Sequence, residues 1–142
     1  MRFAVAKFVK PFHREIVEIA HQGGVSIFKH PDGNLWPILD DLLEVGFDGI
    51  HPIQPQCMEI KEVKEHLRGK AFVPGNIDCT YLLPFGEKEA VVESVKETIR
   101  QVAPGGGYIL SSSNSIHPGC KGQNLIAMFE ATKKYGVYPL SI

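Results

Sequence analysis

Short apolar runs alternate with longer amphipathic stretches along the chain. The runs are rich in β-branched and aromatic residues and are bounded by turn-forming residues, which predicts strands. In the longer stretches apolar residues recur three and four positions apart, which predicts helices. The predicted strands lie at 25–29, 47–52, 70–75 and 108–112. The predicted helices lie at 3–22, with a break or kink near Pro11, and at 34–45, 59–68, 87–102 and 123–135.

Strands and helices joined by short glycine-bearing links are typical of parallel βαβ units with right-handed crossovers. We expect one α/β domain spanning residues 1–142, because a chain of this length can bury a core of its own. Four strands are too few for a closed eight-stranded barrel, which usually takes about 250 residues. The pattern is therefore compatible with a doubly wound open sheet and with half of a (βα)₈ barrel.

The composition is that of an ordinary globular protein, with 44% hydrophobic residues and a formal net charge of -1. We expect no nucleic-acid partner, because the chain has no basic stripe and no run of like charge. We expect no membrane partner, because no apolar segment approaches the roughly 18–20 residues that span a bilayer. Widely spaced cysteines and an N-terminus interrupted by charge indicate a reducing, cytoplasmic location.

Polar side chains follow every predicted strand. In a parallel sheet these loops share one edge, where ligands of α/β proteins bind. The clearest case is the junction VSIFKHPDGNLW at 25–36, where an apolar strand is followed by a polar elbow and a helix. The candidates at this edge are His30, Asp32, Asn34, His51, Gln54, Asn76, Asp78, Ser111, Ser112, Ser113, Asn114 and His117.

Each candidate also has a structural explanation when it is taken alone. Asp32 or Asn34 could cap the helix that follows, and Asn76 after a glycine could form a turn. His51 could be a histidine whose hydrogen bonds are satisfied at the end of its strand. Pooled, the loops predict a polar pocket that binds a small molecule.

Acid–base chemistry and metal binding are both compatible with the residues at this edge. His30, Asp32 or Asp78 could donate or accept protons if they are desolvated. A zinc site would use His30 and Asp32 as two ligands, and Cys79 or Cys120 as a third if its loop turned inward. Nucleotide binding is disfavoured, because no glycine-rich phosphate fingerprint follows the first strand.

Three segments of the chain resemble a known family. They are IFKHPDGNLWPILDDLLEVGFDGIHPIQP, VPGNIDCTYLLPFG and PGGGYILSSSNSIHPGCKGQNLIAMFEATKKYG. Together with the GNID motif at 75–78 and Asn124, they are similar to the C-terminal half of the uroporphyrinogen decarboxylase superfamily, which includes the methylcobamide:coenzyme M methyltransferases. Members are (βα)₈ barrels, so the resemblance implies the C-terminal half of a TIM barrel: four parallel strands with flanking helices.

The resemblance implies roles for individual residues. The methyltransferase branch binds zinc through a His-x-Cys after one strand and a cysteine in the final loop, whereas this chain has His30, Asp32 and Asn114 at those places. The decarboxylase branch has a porphyrinogen-contacting histidine at the place of Asn114. A site of nitrogen and oxygen donors alone would hold zinc less tightly. We assign catalysis, or metal binding, to His30 and Asp32, and substrate binding to Asn34, His51, Asn76, Asp78, Ser113 and Asn114.

The resemblance implies tetrapyrrole decarboxylation, or methyl transfer to or from a corrinoid. The family's carboxylate-gripping arginines and aspartate belong to its N-terminal half, so we expect this chain to be inactive alone. A homo-oligomer or a partner carrying the N-terminal half-barrel would complete the ring, because a four-stranded curved sheet leaves two unpaired edges. The alternative is a non-catalytic half-barrel that serves binding or assembly.

Overall fold

The computed structural model describes residues 4–142 and has a mixed α/β fold. A π-helical segment, Val5–Val9, precedes the first α-helix. The helices are α1 (Lys10–Gln22), α2 (Leu39–Val45), α3 (Ile60–Leu67), α4 (Leu82–Phe85), α5 (Lys88–Val102) and α6 (Gly122–Tyr135). The strands are β1 (Phe28–Lys29), β2 (Gly49–Ile50), β3 (Val73–Ile77) and β4 (Tyr108–Ser112).

All strand pairs found in residues 4–142 are parallel. β1 pairs with β2 and β3 pairs with β4, which gives two sheets of two strands. An isolated parallel bridge between Gly49 and Phe72 joins the sheets. There the Phe72 amide donates to the Asp48 carbonyl at 2.8 Å, and the Ile50 amide donates to the Phe72 carbonyl at 3.1 Å. The strands therefore follow one another in space as they do in sequence, and their carboxyl ends face the same side.

The first two strands are shorter than the predicted runs at 25–29 and 47–52. β2 is followed closely by Pro52, which has no amide hydrogen to continue the ladder. The third strand is shifted along the chain, since β3 begins at Val73 instead of residue 70 and continues past the predicted end at Gly75 through Asn76 and Ile77. Its amides and carbonyls stay in register with β4, so the ladder extends to Ile77 opposite Ser112.

The helices also differ from the predicted ranges at their ends. The first predicted helix starts at residue 3, which lies outside the described residues, and changes from π to α geometry at Lys10, next to the predicted break. α2 begins at Leu39, not at residue 34, because a separate turn precedes it in which the Ile38 amide donates to the Leu35 carbonyl at 2.9 Å. The short helix α4 was not predicted.

Two clusters of buried apolar side chains form the core. One lies among α1, α2, α3, β2, the start of β3 and the end of α5, and the other lies among β3, β4, α5 and α6. Tyr108 packs against both clusters, and its hydroxyl donates to the Gly75 carbonyl at 2.5 Å. Burial raises the pKa of Tyr108 above its usual value, so the hydroxyl remains a donor. Within the described residues, none of the helices has the length and apolar character that crossing a bilayer demands.

Candidate functional site

Four of the predicted side chains meet beyond the carboxyl ends of the strands, and we call them the strand-end cluster: His30, Asp32, His51 and Asn114. Nδ1 of His30 lies 2.7 Å from Nδ1 of His51, and Nε2 of His30 lies 3.6 Å from Oδ1 of Asp32. The Asn114 amide donates to the same Asp32 oxygen at 3.1 Å. The loops after β1, β2 and β4 therefore converge, as the shared edge of parallel strands predicts.

The hydrogen bonds of the cluster define where its protons lie. Nε2 of His51 is 3.3 Å from the Ser112 carbonyl, which can only accept, so we assign the proton of His51 to Nε2. Nδ1 of a neutral His51 is then an acceptor, and Nδ1 of His30 donates to it. When His30 is protonated, its second N–H faces the Asp32 carboxylate, so both ring N–H groups have acceptors nearby.

The two histidines differ in their surroundings. Burial, and next the charge of His30, lower the pKa of His51, against opposing effects of the Ser112 carbonyl and Asp32. The Phe28 ring packs edge-on against His51, with centroids 6.0 Å apart. The side chain of His30 is 40% exposed. His51 is thus suited to stay neutral and orient its neighbour, and His30 is the histidine that can exchange a proton with a bound molecule.

Asn34, two residues after Asp32, and Asp78, in the loop after β3, are engaged in local turns. Oδ1 of Asn34 accepts from the Trp36 amide at 3.1 Å. Oδ1 of Asp78 accepts from the Thr80 amide at 2.7 Å and from the Tyr81 amide at 3.3 Å, just before α4. Both side chains shape local turns at the strand ends. The capping explanation is wrong for Asn34, because the N-cap residue of α2 is Ile38 and no side chain caps that helix.

Asn76 and Ser113 are buried, and each links the end of one strand to a neighbouring segment. The Asn76 amide donates to the Ile53 carbonyl at 2.8 Å, which ties β3 to the segment after β2. The Ser113 hydroxyl accepts from the Cys79 amide at 3.1 Å and lies 3.4 Å from the Cys79 sulfur, which ties the end of β4 to the loop after β3. The Asn76 side-chain NH₂ and the Ser113 hydroxyl are therefore engaged by the protein itself.

Gly75 allows the close approach of β3 to the segment that carries His51. A Cβ atom at Gly75 would lie 2.2 Å from the Pro52 carbonyl oxygen, and Gly75 has a φ of +145°. The peptide bonds His51–Pro52 and Gly75–Asn76 are both cis. The GNID motif is thus the part of β3 that touches the chain beside the cluster.

Sequence reasoning missed two contributors to the site. Neither the Phe28 ring nor the Ser112 carbonyl, both of which contact His51, was expected to act there. An aromatic residue in a strand is ordinarily predicted to be part of the core. The position of a backbone carbonyl cannot be predicted from the residue type. A third contributor, Gln54, was among the candidates, and its Oε1 accepts from the Gly33 amide at 3.0 Å, which fixes the loop that carries Asp32.

The donor set does not fit a resident zinc ion. Among the residues that the structure describes, no three His, Cys, Asp or Glu side chains converge in a way that could hold a metal. Nδ1 of His30 is hydrogen-bonded to Nδ1 of His51, so Nδ1 of either ring is not free to bind a metal, and His30 Nε2 and Asp32 offer only two ligands. Cys79 is buried beside Ser113, and the Cys120 sulfur lies 3.8 Å from the Cys79 carbonyl, so neither thiol belongs to the cluster.

Comparison with known proteins assigns the chain to a family. The model of the family named uroporphyrinogen decarboxylase (URO-D) matches residues 4–135. The chain belongs to the uroporphyrinogen decarboxylase family. The resemblance seen in the sequence is confirmed at the level of the family.

Two relatives show how much of a family member the chain represents. It is 28% identical over 130 residues to a uroporphyrinogen decarboxylase from Anaeromyxobacter dehalogenans (strain 2CP-C), which covers 92% of this chain and 36% of that protein. The structure of a methyltransferase from Methanosarcina mazei matches with a TM-score of 0.80 at 22% identity, over 96% of this chain and 38% of that chain. The chain thus spans little more than a third of either relative, and the second match shows the fold alone.

Proposed function

We propose that this chain provides the proton-donating part of a decarboxylase pocket whose substrate is a tetrapyrrole of the porphyrinogen type. The observation that carries the proposal is the strand-end cluster, in which His30 lies between a neutral histidine and a carboxylate. Family membership supports the substrate class, since both the family and the relative from Anaeromyxobacter carry the name uroporphyrinogen decarboxylase.

The chemistry needs one proton at carbon. When a substrate carboxylate leaves as CO₂, the electron pair of the broken C–C bond stays on the carbon, which must take up a proton. Protonated His30 gives that proton from Nε2, and Asp32 stabilises the imidazolium before the transfer. His51 keeps the ring oriented through the Nδ1 contact, and solvent returns the proton to the exposed His30.

Methyl transfer to or from a corrinoid is the second candidate, because the sequence resemblance extends to the methyltransferase branch of the superfamily. The donor set favours decarboxylation, since Asp32 and Asn114 occupy places where the methyltransferase branch has cysteines. A cluster rich in proton donors and acceptors but without thiolates is better suited to proton transfer than to activating a thiol.

We propose further that the chain is a half-barrel completed by an N-terminal half-barrel or by a second copy. Within residues 4–142, β1 pairs only with β2 and β4 only with β3, so each sheet edge has free backbone groups. Helix α1 exposes apolar side chains on one face, and helix α6 does the same on the other flank. These side chains are Phe12, Ile16 and Ile19 on α1, and Ile126 and Phe129 on α6. Apolar faces of this kind favour association.

The test compares His30→Gln with His66→Gln in the chain mixed with the N-terminal portion of the Anaeromyxobacter relative. His66 is a matched control, because it is a histidine paired with a carboxylate, Asp40, at 2.8 Å on the outer helices. Porphyrinogen turnover should fall by roughly 10²–10⁴-fold in His30→Gln and stay unchanged in His66→Gln. Equal turnover in both variants would refute the role of His30.

The same mixture discriminates the non-catalytic alternative, an assembly module. If the complete mixture forms a defined complex by light scattering and binds porphyrinogen without turning it over, the assembly function is correct and decarboxylation is not. A chain that stays monomeric in the presence of the N-terminal portion, and binds no dye that reports exposed apolar surface, would contradict the half-barrel itself.

A further inference from the structure

A cavity of about 550 Å³ lies at the end of the fold opposite the strand-end cluster. It is formed where the chain enters β3 and β4, between the end of α3 and the glycine-rich turn after α5. We call it the amino-end cavity, after the amino ends of the two strands. Its polar lining comes from Lys64, Arg68, Lys70 and the segment Gly105–Gly107.

The charged side chains that line the amino-end cavity are all cations. Lys64, Arg68 and Lys70 face it, and no aspartate or glutamate does. Within residues 4–142, the side chains of Arg68 and Lys70 have no hydrogen-bond or ion-pair partner. The chain as a whole has a formal charge of -1, so this concentration of positive charge is local. Such a concentration attracts anions.

Lys64 is held in place by the glycine-rich turn. Its ammonium donates to the carbonyls of Gly106 at 2.6 Å and Gly107 at 2.9 Å. An ammonium has three N–H donors, so one remains for a ligand. Burial, and next the charge of Arg68, lower the pKa of Lys64. A bound anion would offset the repulsion between these two cations.

The turn itself leaves room at the cavity. Gly105, Gly106 and Gly107 all have positive φ, at 84°, 75° and 67°. A Cβ atom at Gly107 would lie 2.8 Å from the Lys64 nitrogen, whereas Cβ atoms at Gly105 and Gly106 would meet nothing within 4 Å. The positive φ values favour glycine at all three positions. A side chain at Gly107 would displace the Lys64 ammonium, whereas the turn at Gly105 and Gly106 borders open space.

We propose that the amino-end cavity binds a phosphate-bearing small molecule. A phosphate group offers several acceptor oxygens and up to two negative charges, which match the Arg68 fork, the Lys70 ammonium and the remaining N–H of Lys64. The volume falls in the range of about 300–1,000 Å³ typical of small-molecule pockets, so the ligand extends beyond the phosphate. The site is independent of the proposed decarboxylation, because it shares no residue with the strand-end cluster.

The test titrates pyrophosphate into the wild-type chain and follows the unfolding temperature, with sodium chloride used to keep the ionic strength constant. Ligand binding raises that temperature by mass action. Arg68→Gln combined with Lys70→Gln should weaken the apparent affinity by at least about tenfold, as expected for the loss of charge-assisted hydrogen bonds. Lys88→Gln is the matched control, because Lys88 is exposed at the start of α5 and does not line the cavity.

Acetylation of lysines, read by mass spectrometry, locates the bound anion. Pyrophosphate should protect Lys64 and Lys70 and leave Lys88 unaffected. The proposal is overturned if sodium chloride at equal ionic strength stabilises the chain as much, if the double variant binds as tightly as the wild type, or if protection is spread evenly over all lysines. Tighter binding of citrate than of pyrophosphate would overturn the assignment to phosphate.

Discussion

Alanine at position 75 would force a collision between β3 and the segment that carries His51. The added Cβ would lie 2.2 Å from the carbonyl oxygen of Pro52 and 3.1 Å from its carbonyl carbon. Both are backbone atoms, so no side-chain rotation relieves the contact. Gly75 also has a φ of +145°, which side chains rarely allow. The variant must therefore move the two segments apart or distort the backbone of β3.

The cost follows from these two effects. Overpacking costs about 1–3 kcal/mol, and an unfavourable positive φ costs about 1–3 kcal/mol. Gly69→Ala is the matched control, because Gly69 has a φ of +72° and a Cβ there would meet nothing within 4 Å. In the control only the positive φ destabilises the variant. Gly75→Ala should therefore lower the free energy of unfolding more than Gly69→Ala does, by at least about 1 kcal/mol.

Urea unfolding followed by circular dichroism measures this difference, because a stability change moves the midpoint at constant slope. In Gly75→Ala, movement of the Pro52 segment should also change the imidazole NMR signals of His51, whereas Gly69→Ala should leave them in place. Equal midpoints for the two variants, with unchanged His51 signals, would refute the close contact between β3 and the chain beside the cluster.

Three further outcomes are expected from the same unfolding assay. The lowered pKa of folded His51 means that the unfolded chain binds more protons near the unperturbed pKa of 6.5. Stability should therefore fall as the pH decreases below that value, and His51→Gln should flatten the profile; an unchanged profile would contradict this. Val63→Ala, in the core, should cost roughly 2–3 kcal/mol, against less than about 0.5 kcal/mol for the exposed Val25→Ala; equal costs would contradict the assigned burial. Asn76→Ala should cost about 1–3 kcal/mol, because it leaves the buried Ile53 carbonyl without its donor; a cost near zero would contradict that bond.

The order of the strands and of every helix except α4 was predictable, because the apolar residues of each of these segments recur with the period of a helix or form a short apolar run. The meeting of His30, Asp32, His51 and Asn114 was also predictable, since parallel strands bring their carboxyl ends to one edge. Neither inference needed side-chain directions. The pattern alone did not separate an open sheet from a half-barrel, and the family resemblance is the reason that we propose the half-barrel.

Side-chain direction and register account for most of what the sequence did not predict. Asn76 after a glycine could form a turn by its residue type, yet the register with β4 keeps Asn76 and Ile77 in the strand. The pairing of His30 with His51 depends on two side-chain rotamers on different loops. The placement of Cys79 and Cys120 away from the cluster likewise follows from packing, which residue type does not encode.

Imidazole nitrogen NMR at neutral pH, with and without porphyrinogen, tests the central claim most directly. The structure predicts a neutral His51 protonated at Nε2. The proposed function predicts that porphyrinogen shifts the signals of His30 and His51 and leaves His66 unchanged. A His51 that is a doubly protonated cation at neutral pH would contradict the account. Porphyrinogen shifts confined to histidines outside the strand-end cluster would contradict it as well.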